Sequence, residues 1–280
     1  SIIFMYYSIH CSPVFAAWQL NHRHIIFSKF RICDSLIIGL CLKNINHKSI
    51  KMKKIFLYIT LLVTVFTLNA QTTVFTSIEI KAKDYAQNDI ADAFDNVFKD
   101  VTINQGAIIL ERLWAGRSDG MTHRLVYLST LGVDLIDQGD ISPDKNTAFW
   151  AQMNNYIEEW GSMSSGRMLS WQPGDFDKNP FGHIWNLKGV DESQFKKGHD
   201  NFVKQFNSDF EGRVIGFGTY DINRPDGATH WVALTGKDRM DHLMFTDKMS
   251  KSAKAKKLLS ERGPGEVVRD FEVEILKTKQ

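Results

Sequence analysis

Two histidines with closely matched surroundings are the first candidates for chemistry. Arg117-Ser-Asp-Gly-Met-Thr-His123 and Arg224-Pro-Asp-Gly-Ala-Thr-His230 agree at five of seven positions, stand 107 residues apart, and each leads into an apolar run. Imidazole titrates near neutrality, so His123 or His230 could serve as general base, ligand hydrogen-bonder or metal ligand. The competing structural reading, which outweighs it, is that each histidine hydrogen-bonds its turn and the repetition records shared ancestry. Arg117 and Arg224, with Asp119 and Asp226, could grip an anion. The backbone already asks for Asp before Gly in a turn, so the turn reading takes precedence.

Other catalytic signatures are missing: the chain shows no nucleotide loop, zinc signature or nucleophile motif. His183, His199 and His242 are scattered, so no metal site is expected. Met240, Met244 and Met249 read as adaptable packing rather than a copper or haem site.

If each motif is a hairpin turn, His123 shares a sheet face with Leu125, Tyr127 and Ser129, and across the ladder with Ile108, Leu110, Arg112 and Trp114. In the second copy His230 falls with Val232 and Leu234, facing Phe217, Thr219 and Asp221. Apolar bulk with a few convergent polar groups suits a small-molecule pocket. Arg112, Trp114, Tyr127, Phe217, Thr219 and Asp221 are therefore its candidate lining. Gly216, Gly218 and Ala233 on the opposite face leave space for a ligand or a close helix, and the pattern leaves open which face meets the helices. Glu111 interrupts an otherwise apolar strand. An edge position would leave it solvated, which is the preferred reading; buried, it becomes an acid/base candidate. Its counterpart is Gly218, so an active site would belong to one copy.

The elements that must position these residues repeat in the same order. Residues 74–81 alternate as a strand. Ile90, Phe94, Val97 and Phe98 form a helical stripe. Residues 106–114 and 122–130 flank the first turn. Ser142-Pro143 caps a helix whose apolar stripe runs through Phe149, Met153, Tyr156, Ile157 and Trp160. Residues 167–171 form a short fourth strand. A breaker-rich linker, 173–182, follows. The second copy then presents a strand at 183–188, a helix carrying Phe202, Phe206 and Phe210, a hairpin over 213–222 and 229–235, a long helix over 240–262 and a strand over 266–277. Each copy spells βαββαβ, over 71–172 and 183–280.

A four-stranded sheet with helices on one face must bury the other, and a tandem partner is the nearest cover. On this element order and duplication the chain resembles the dimeric α/β-barrel superfamily of ferredoxin-like domains, as a fused pair. The resemblance implies an α+β fold of two tandem ferredoxin-like units forming an intrachain barrel. It also implies a functional range: cofactor-free monooxygenases, isomerases and cyclases, haem-binding or haem-degrading proteins, and stress-responsive barrels. No motif here matches a family catalytic residue. The reading that follows is a barrel binding a small, largely apolar or aromatic molecule, with turnover at His123 or His230. The alternatives are a non-catalytic interaction module or a haem-binding protein; no cofactor is otherwise expected.

The amino-terminal region reads differently from the rest. Met52-Lys-Lys54, the uncharged run 55–68 and Asn69-Ala70 have the layout of a secretory signal peptide, with residues 1–51 as translated upstream sequence. Cys11, Cys33 and Cys41 all precede Met52, so the exported chain would carry no disulfide. Residues 1–70 hold eight of the 34 Lys and Arg and one of the 32 Asp and Glu, leaving the remainder at a net charge of −5. An exported, mildly acidic body argues against nucleic acid or an anionic membrane as partner. It points to a periplasmic or extracellular small-molecule binder, free or as a homo-oligomer. Lys251, Lys254, Lys256 and Lys257 read as a solvated helical face.

Overall fold

The computed structural model describes residues 71–136 and 142–280. The signal-peptide run and the three cysteines lie outside the described residues. The first copy comprises β1 (Thr73–Ala82), α1 (Gln87–Phe98), β2 (Gly106–Leu113), β3 (His123–Thr130), α2 (Pro143–Tyr156) and β4 (Ile157–Gln172). The second comprises β5 (Phe181–Lys188), α3 (Glu192–Gln205), β6 (Ile215–Thr219), β7 (His230–Gly236), α4 (Arg239–Lys251), α5 (Ala253–Ser260) and β8 (Glu266–Lys279). Among the described residues no helix is long and apolar enough to cross a membrane.

All eight strands close into one antiparallel barrel in the order β1-β3-β2-β8-β5-β7-β6-β4. Each copy supplies four neighbouring strands, and the β2–β8 and β4–β6 pairings join the halves. Closure leaves no unpaired sheet edge, which removes the hazard of an exposed strand template. This is the intrachain dimeric α/β-barrel that the duplication implies.

Alternation along each strand divides the side chains between two buried layers. Outside the barrel, Ile80, Ile108, Leu110 and Leu125 pack beneath Ile90, Phe94 and Phe98 of α1 and Phe149 and Met153 of α2. Inside it, Phe75, Ile109, Leu113, Val126, Ile184, Trp231, Phe271 and Val273 form a separate core. Burying a large apolar side chain contributes roughly 1.5–3 kcal/mol, so both layers hold the barrel.

Several boundaries differ from the sequence reading. Ser142 does cap α2, its Oγ accepting from Lys145 N at 3.2 Å. The helix ends at Tyr156, however, and Ile157 and Trp160 belong to β4, which runs sixteen residues rather than five. That strand has partners along its whole length, β1 and then β6, so pairing overrides the helical spacing. The long helix over 240–262 breaks at Ser252, whose extended backbone (φ −82°, ψ 116°) caps α5 by accepting from Ala255 N. Helix α3 stops at Gln205, leaving Phe210 beyond a 3-10 turn. The linker is 173–180, because β5 begins at Phe181. The turns are not two-residue hairpins: residues 114–122 and 220–229 are loops in which Gly120, Asp226 and Gly227 take positive φ.

Candidate functional site: the barrel interior

The repeated motif builds the same hydrogen bonds twice. Leu113 N donates to Thr122 O and Tyr220 N to Thr229 O, both at 2.8 Å. Thr122 N donates to Ile80 O (2.9 Å) and Thr229 N to Leu187 O (2.8 Å). Thr122 Oγ1 lies 2.9 Å from His123 Nδ1, and Thr229 Oγ1 lies 2.8 Å from His230 Nδ1. In the first copy the threonine gives its hydroxyl proton to Ile80 O and accepts from Ala82 N. His123 Nδ1 is therefore the donor, and its Nε2, buried without a partner, is the bare nitrogen. Burial, aided by Arg112, lowers its pKa to about 4.

Both histidines lie on the helix-facing side of the sheet. The pairs Arg112–His123, Leu110–Leu125 and Ile108–Tyr127 stand opposite each other as the hairpin reading places them, but that face is covered by α1 and α2. His230 stacks on Phe217 at 5.5 Å, with Phe195 of α3 beyond it and Glu192 Oε2 3.8 Å from Nε2. Burial lowers the pKa of His230, against the pull of Glu192. The other expected lining residues are spread around the same exterior. Arg112 and Trp114 Nε1 both meet Glu274 Oε2, at 3.3 and 3.2 Å. Tyr127 borders the layer under the helices. Thr219 Oγ1 accepts from Arg167 N, and Asp221 takes two bonds from the Arg167 guanidinium. None of these eight residues lines either interior cavity.

Those cavities lie within the barrel, on the face opposite the histidines. The inner one, about 90 Å³, is mainly apolar, walled by Phe75, Val126, Met168, Trp171, Phe176 and Trp231. The outer one, about 230 Å³, is polar and sits among the duplicated turns. Ser77, Arg124 and Tyr220 wall both. Arg124 Nε donates to Glu111 Oε2 at 2.6 Å, and the guanidinium lies 5.0 Å from the Phe271 ring. Burial alone would lower the Arg124 pKa; the Glu111 carboxylate beside it outweighs burial and raises it. Tyr220 Oη donates to Asn186 Oδ1 at 2.9 Å, and burial pushes its phenol up to about 12.

Glu111 is thus an interior residue, 7% exposed, and not a solvated edge position. A barrel has no edge, and β2 is paired on both sides. Register alone could have found the site: the alignment that sets Arg112 opposite His123 also sets Glu111 opposite Arg124. The space beside Gly216 and Gly218 is taken by indoles. A Cβ on Gly218 would fall 2.5 Å from the Trp231 ring, and one on Gly216 would fall 2.8 Å from it.

Away from the interior, His183 and His242 come together despite their distance in sequence. His183 Nδ1 lies 2.7 Å from His242 Nε2, and His183 Nε2 lies 2.9 Å from Asp270 Oδ2. Burial and then His183 bring the His242 pKa down to about 4. Among the described residues no group of three or more His, Cys, Asp or Glu is placed to hold a metal. The cavities do not suit haem either. No histidine or cysteine lines them, and the Tyr220 phenol is committed to Asn186 Oδ1.

No protein-family model matches the chain, and no curated protein matches it. Solved structures do. A candidate monooxygenase from Lactobacillus acidophilus NCFM superposes with a TM-score of 0.51 at 10% identity, over 74% of this chain and 96% of that one. Another from Fusobacterium nucleatum subsp. nucleatum ATCC 25586 gives 0.50 at 13% identity, over 75% and 95%. At such identities the likeness is one of fold. It extends over nearly the whole length of both relatives and about three quarters of this chain.

Proposed function

We propose that the protein binds a small, largely apolar or aromatic molecule inside the barrel. The observation that carries this reading is the inner cavity, whose aromatic and aliphatic walls converge on one polar set: Ser77, Tyr220 and the Glu111–Arg124 pair. Apolar walls with a few fixed polar groups are the usual composition of small-molecule sites. The hairpin histidines, packed under helices, keep the turns in shape; the interior residues meet the ligand. Two barrels of like fold are named candidate monooxygenases, which supports measuring oxygen uptake with any ligand found. Export through residues 52–70 remains part of the proposal, checked by amino-terminal sequencing of protein recovered outside the cytoplasm.

Tryptophan fluorescence tests the binding reading directly, since Trp171 and Trp231 border the cavity. In a screen of small aromatic molecules, Ala233→Phe, which fills the inner cavity, is expected to weaken binding by at least about tenfold, or about 1.4 kcal/mol. His123→Gln is expected to leave it unchanged. Binding that survives Ala233→Phe and disappears in His123→Gln would move the site back to the hairpin histidines.

A further inference from the structure

The outer cavity is larger than the inner one, and we propose that it is a second subsite, holding an uncharged, hydroxylated end of the same ligand whose apolar body lies within. This rests on the interior-binding reading above. Size makes the first argument. A dry apolar cavity of roughly 150 Å³ accepts a single benzene ring. The inner cavity is about 90 Å³, too small for a ring by itself, and it shares the walls Ser77, Arg124 and Tyr220 with the outer space of about 230 Å³, into which a ring can extend. A ligand extending that way meets the polar cavity through the shared wall.

Chemistry makes the second argument. Hydroxyl and amide groups make up about half of the outer wall: Ser77, Ser118, Ser162, Ser164, Tyr220 and Asn223. Two of its three arginines are already ion-paired. Arg124 is paired with Glu111. Arg269 reaches Asp226 at 3.2 Å and Glu79 at 3.7 Å, and donates to Ser118 Oγ at 2.7 Å. Arg224, at the exposed rim, gives its Nε to Tyr220 O at 3.3 Å. An anionic end would meet the carboxylates of Glu79 and Asp226, and a cationic one would compete with Arg269. Each sets like charges together, and at the buried Glu79 and half-buried Arg269 side chains little solvent screens them. A hydroxyl both donates and accepts, which is what a wall of serines, Asn223 and paired ions offers. The ligand class is an amphipathic conjugate with an aromatic or aliphatic body and a polyol, sugar or similarly hydroxylated neutral head.

Isothermal titration with three probes sharing one ring tests this: toluene, phenyl β-D-glucopyranoside and phenyl phosphate, against the wild type and Ser162→Trp. Ser162 is exposed at the rim, so the indole narrows the outer cavity without entering the inner one. If Ser162→Trp does not fold, Ser118→Leu narrows the same space from the other loop. The glucoside is expected to bind about tenfold tighter than toluene in the wild type and to lose that advantage in the variant, toluene being unaffected. The second subsite is overturned if the glucoside binds no better than toluene, if phenyl phosphate binds tightest, or if the variant leaves the glucoside untouched. Toluene binding without glucoside binding overturns this proposal and leaves the inner-cavity reading in place. Binding by none of the three overturns both.

Discussion

Glu111 and Arg124 face each other across β2 and β3; 107 positions later, Gly218 and Trp231 face each other across β6 and β7. The first pair is a buried ion pair with an N···O distance of 2.6 Å. The second is an indole laid over a residue with no side chain, its Nε1 donating to Thr219 O at 3.2 Å. Both fill the same interior volume from equivalent strands, yet one supplies polarity and the other an apolar wall. The turns beside them have kept the same Thr–His contacts in both copies. Duplication therefore preserved what shapes each half and let the interior diverge, placing an ion pair in the first half where the second has an indole over a glycine.

The strongest way to break this comparison is to remove one member of the ion pair. Glu111→Ala leaves the Arg124 guanidinium, only 12% exposed, without its carboxylate. An uncompensated buried charge costs about 3–5 kcal/mol, to be read from urea unfolding. Replacing both partners by apolar residues, Glu111→Leu with Arg124→Met, is expected to recover most of that loss, because desolvating two charges offsets much of their attraction. A double variant no more stable than Glu111→Ala would show that the pair holds the first half together in a way Trp231 does not.

The two histidines sharpen the comparison through pH. His123 has a pKa of about 4 when folded and an ordinary value near 6.5 when unfolded, with Arg112 the charged group facing it. Between those values the unfolded chain binds the extra proton, so stability is complete above about 6.5 and is lost as pH falls toward 4. The full effect of this one histidine is about 3 kcal/mol. His230 shifts in the same direction, but Glu192 beside it favours the charged ring and opposes burial. His199 and His242, lowered to about 3 and about 4, steepen the wild-type profile in the same sense. Unfolding measured at pH 4.5 and 7 should lose more of its pH dependence in His123→Gln than in His230→Gln. Equal slopes would make the two copies electrostatically alike.

Gly218→Ala comes next. Its Cβ would stand 2.3 Å from Arg167 O and 2.5 Å from the Trp231 ring, so backbone or indole must shift. Overpacking of this kind costs about 1–3 kcal/mol. A change in Trp231 emission with lowered stability is expected. No change in either would mean the indole is not seated on that glycine.

Much of this architecture was legible in the sequence because the repeat fixes element order twice over. The 107-residue offset placed both turns and set Arg112 opposite His123. What the pattern could not rank was the two faces. In an ordinary half-exposed strand polar residues mark the outside, but here Ile108 and Leu110 are buried under helices while Ile109 and Leu113 are buried in the barrel. The alternation has no polar phase to read, and the histidines drew attention to the layer under the helices. Glu111 and Arg124 carried the useful signal, being charges that only an interior partner explains. Ile157 and Trp160 satisfy helical and strand spacing equally, so the end of α2 was set by pairing with β1. The meeting of His183, His242 and Asp270 depends on β5, α4 and β8 packing together, which no sequence spacing encodes.

The smallest expected difference lies in the threonines that precede the histidines. Thr122 Oγ1 donates to Ile80 O at 3.1 Å and accepts from Ala82 N at 2.8 Å, tying the turn to β1 through two backbone groups. Thr229 Oγ1 reaches one such group, Leu187 O, at 3.5 Å, a long and weak bond. A net hydrogen bond contributes about 0.5–1.5 kcal/mol, and the stranded Ala82 N–H adds to the loss in the first copy. Thr122→Ala should therefore lower the melting temperature more than Thr229→Ala, by about 1 kcal/mol in stability. If the order is reversed, the second turn is the firmer one. The first half would then owe its shape to the Glu111–Arg124 pair rather than to the conserved turn hardware.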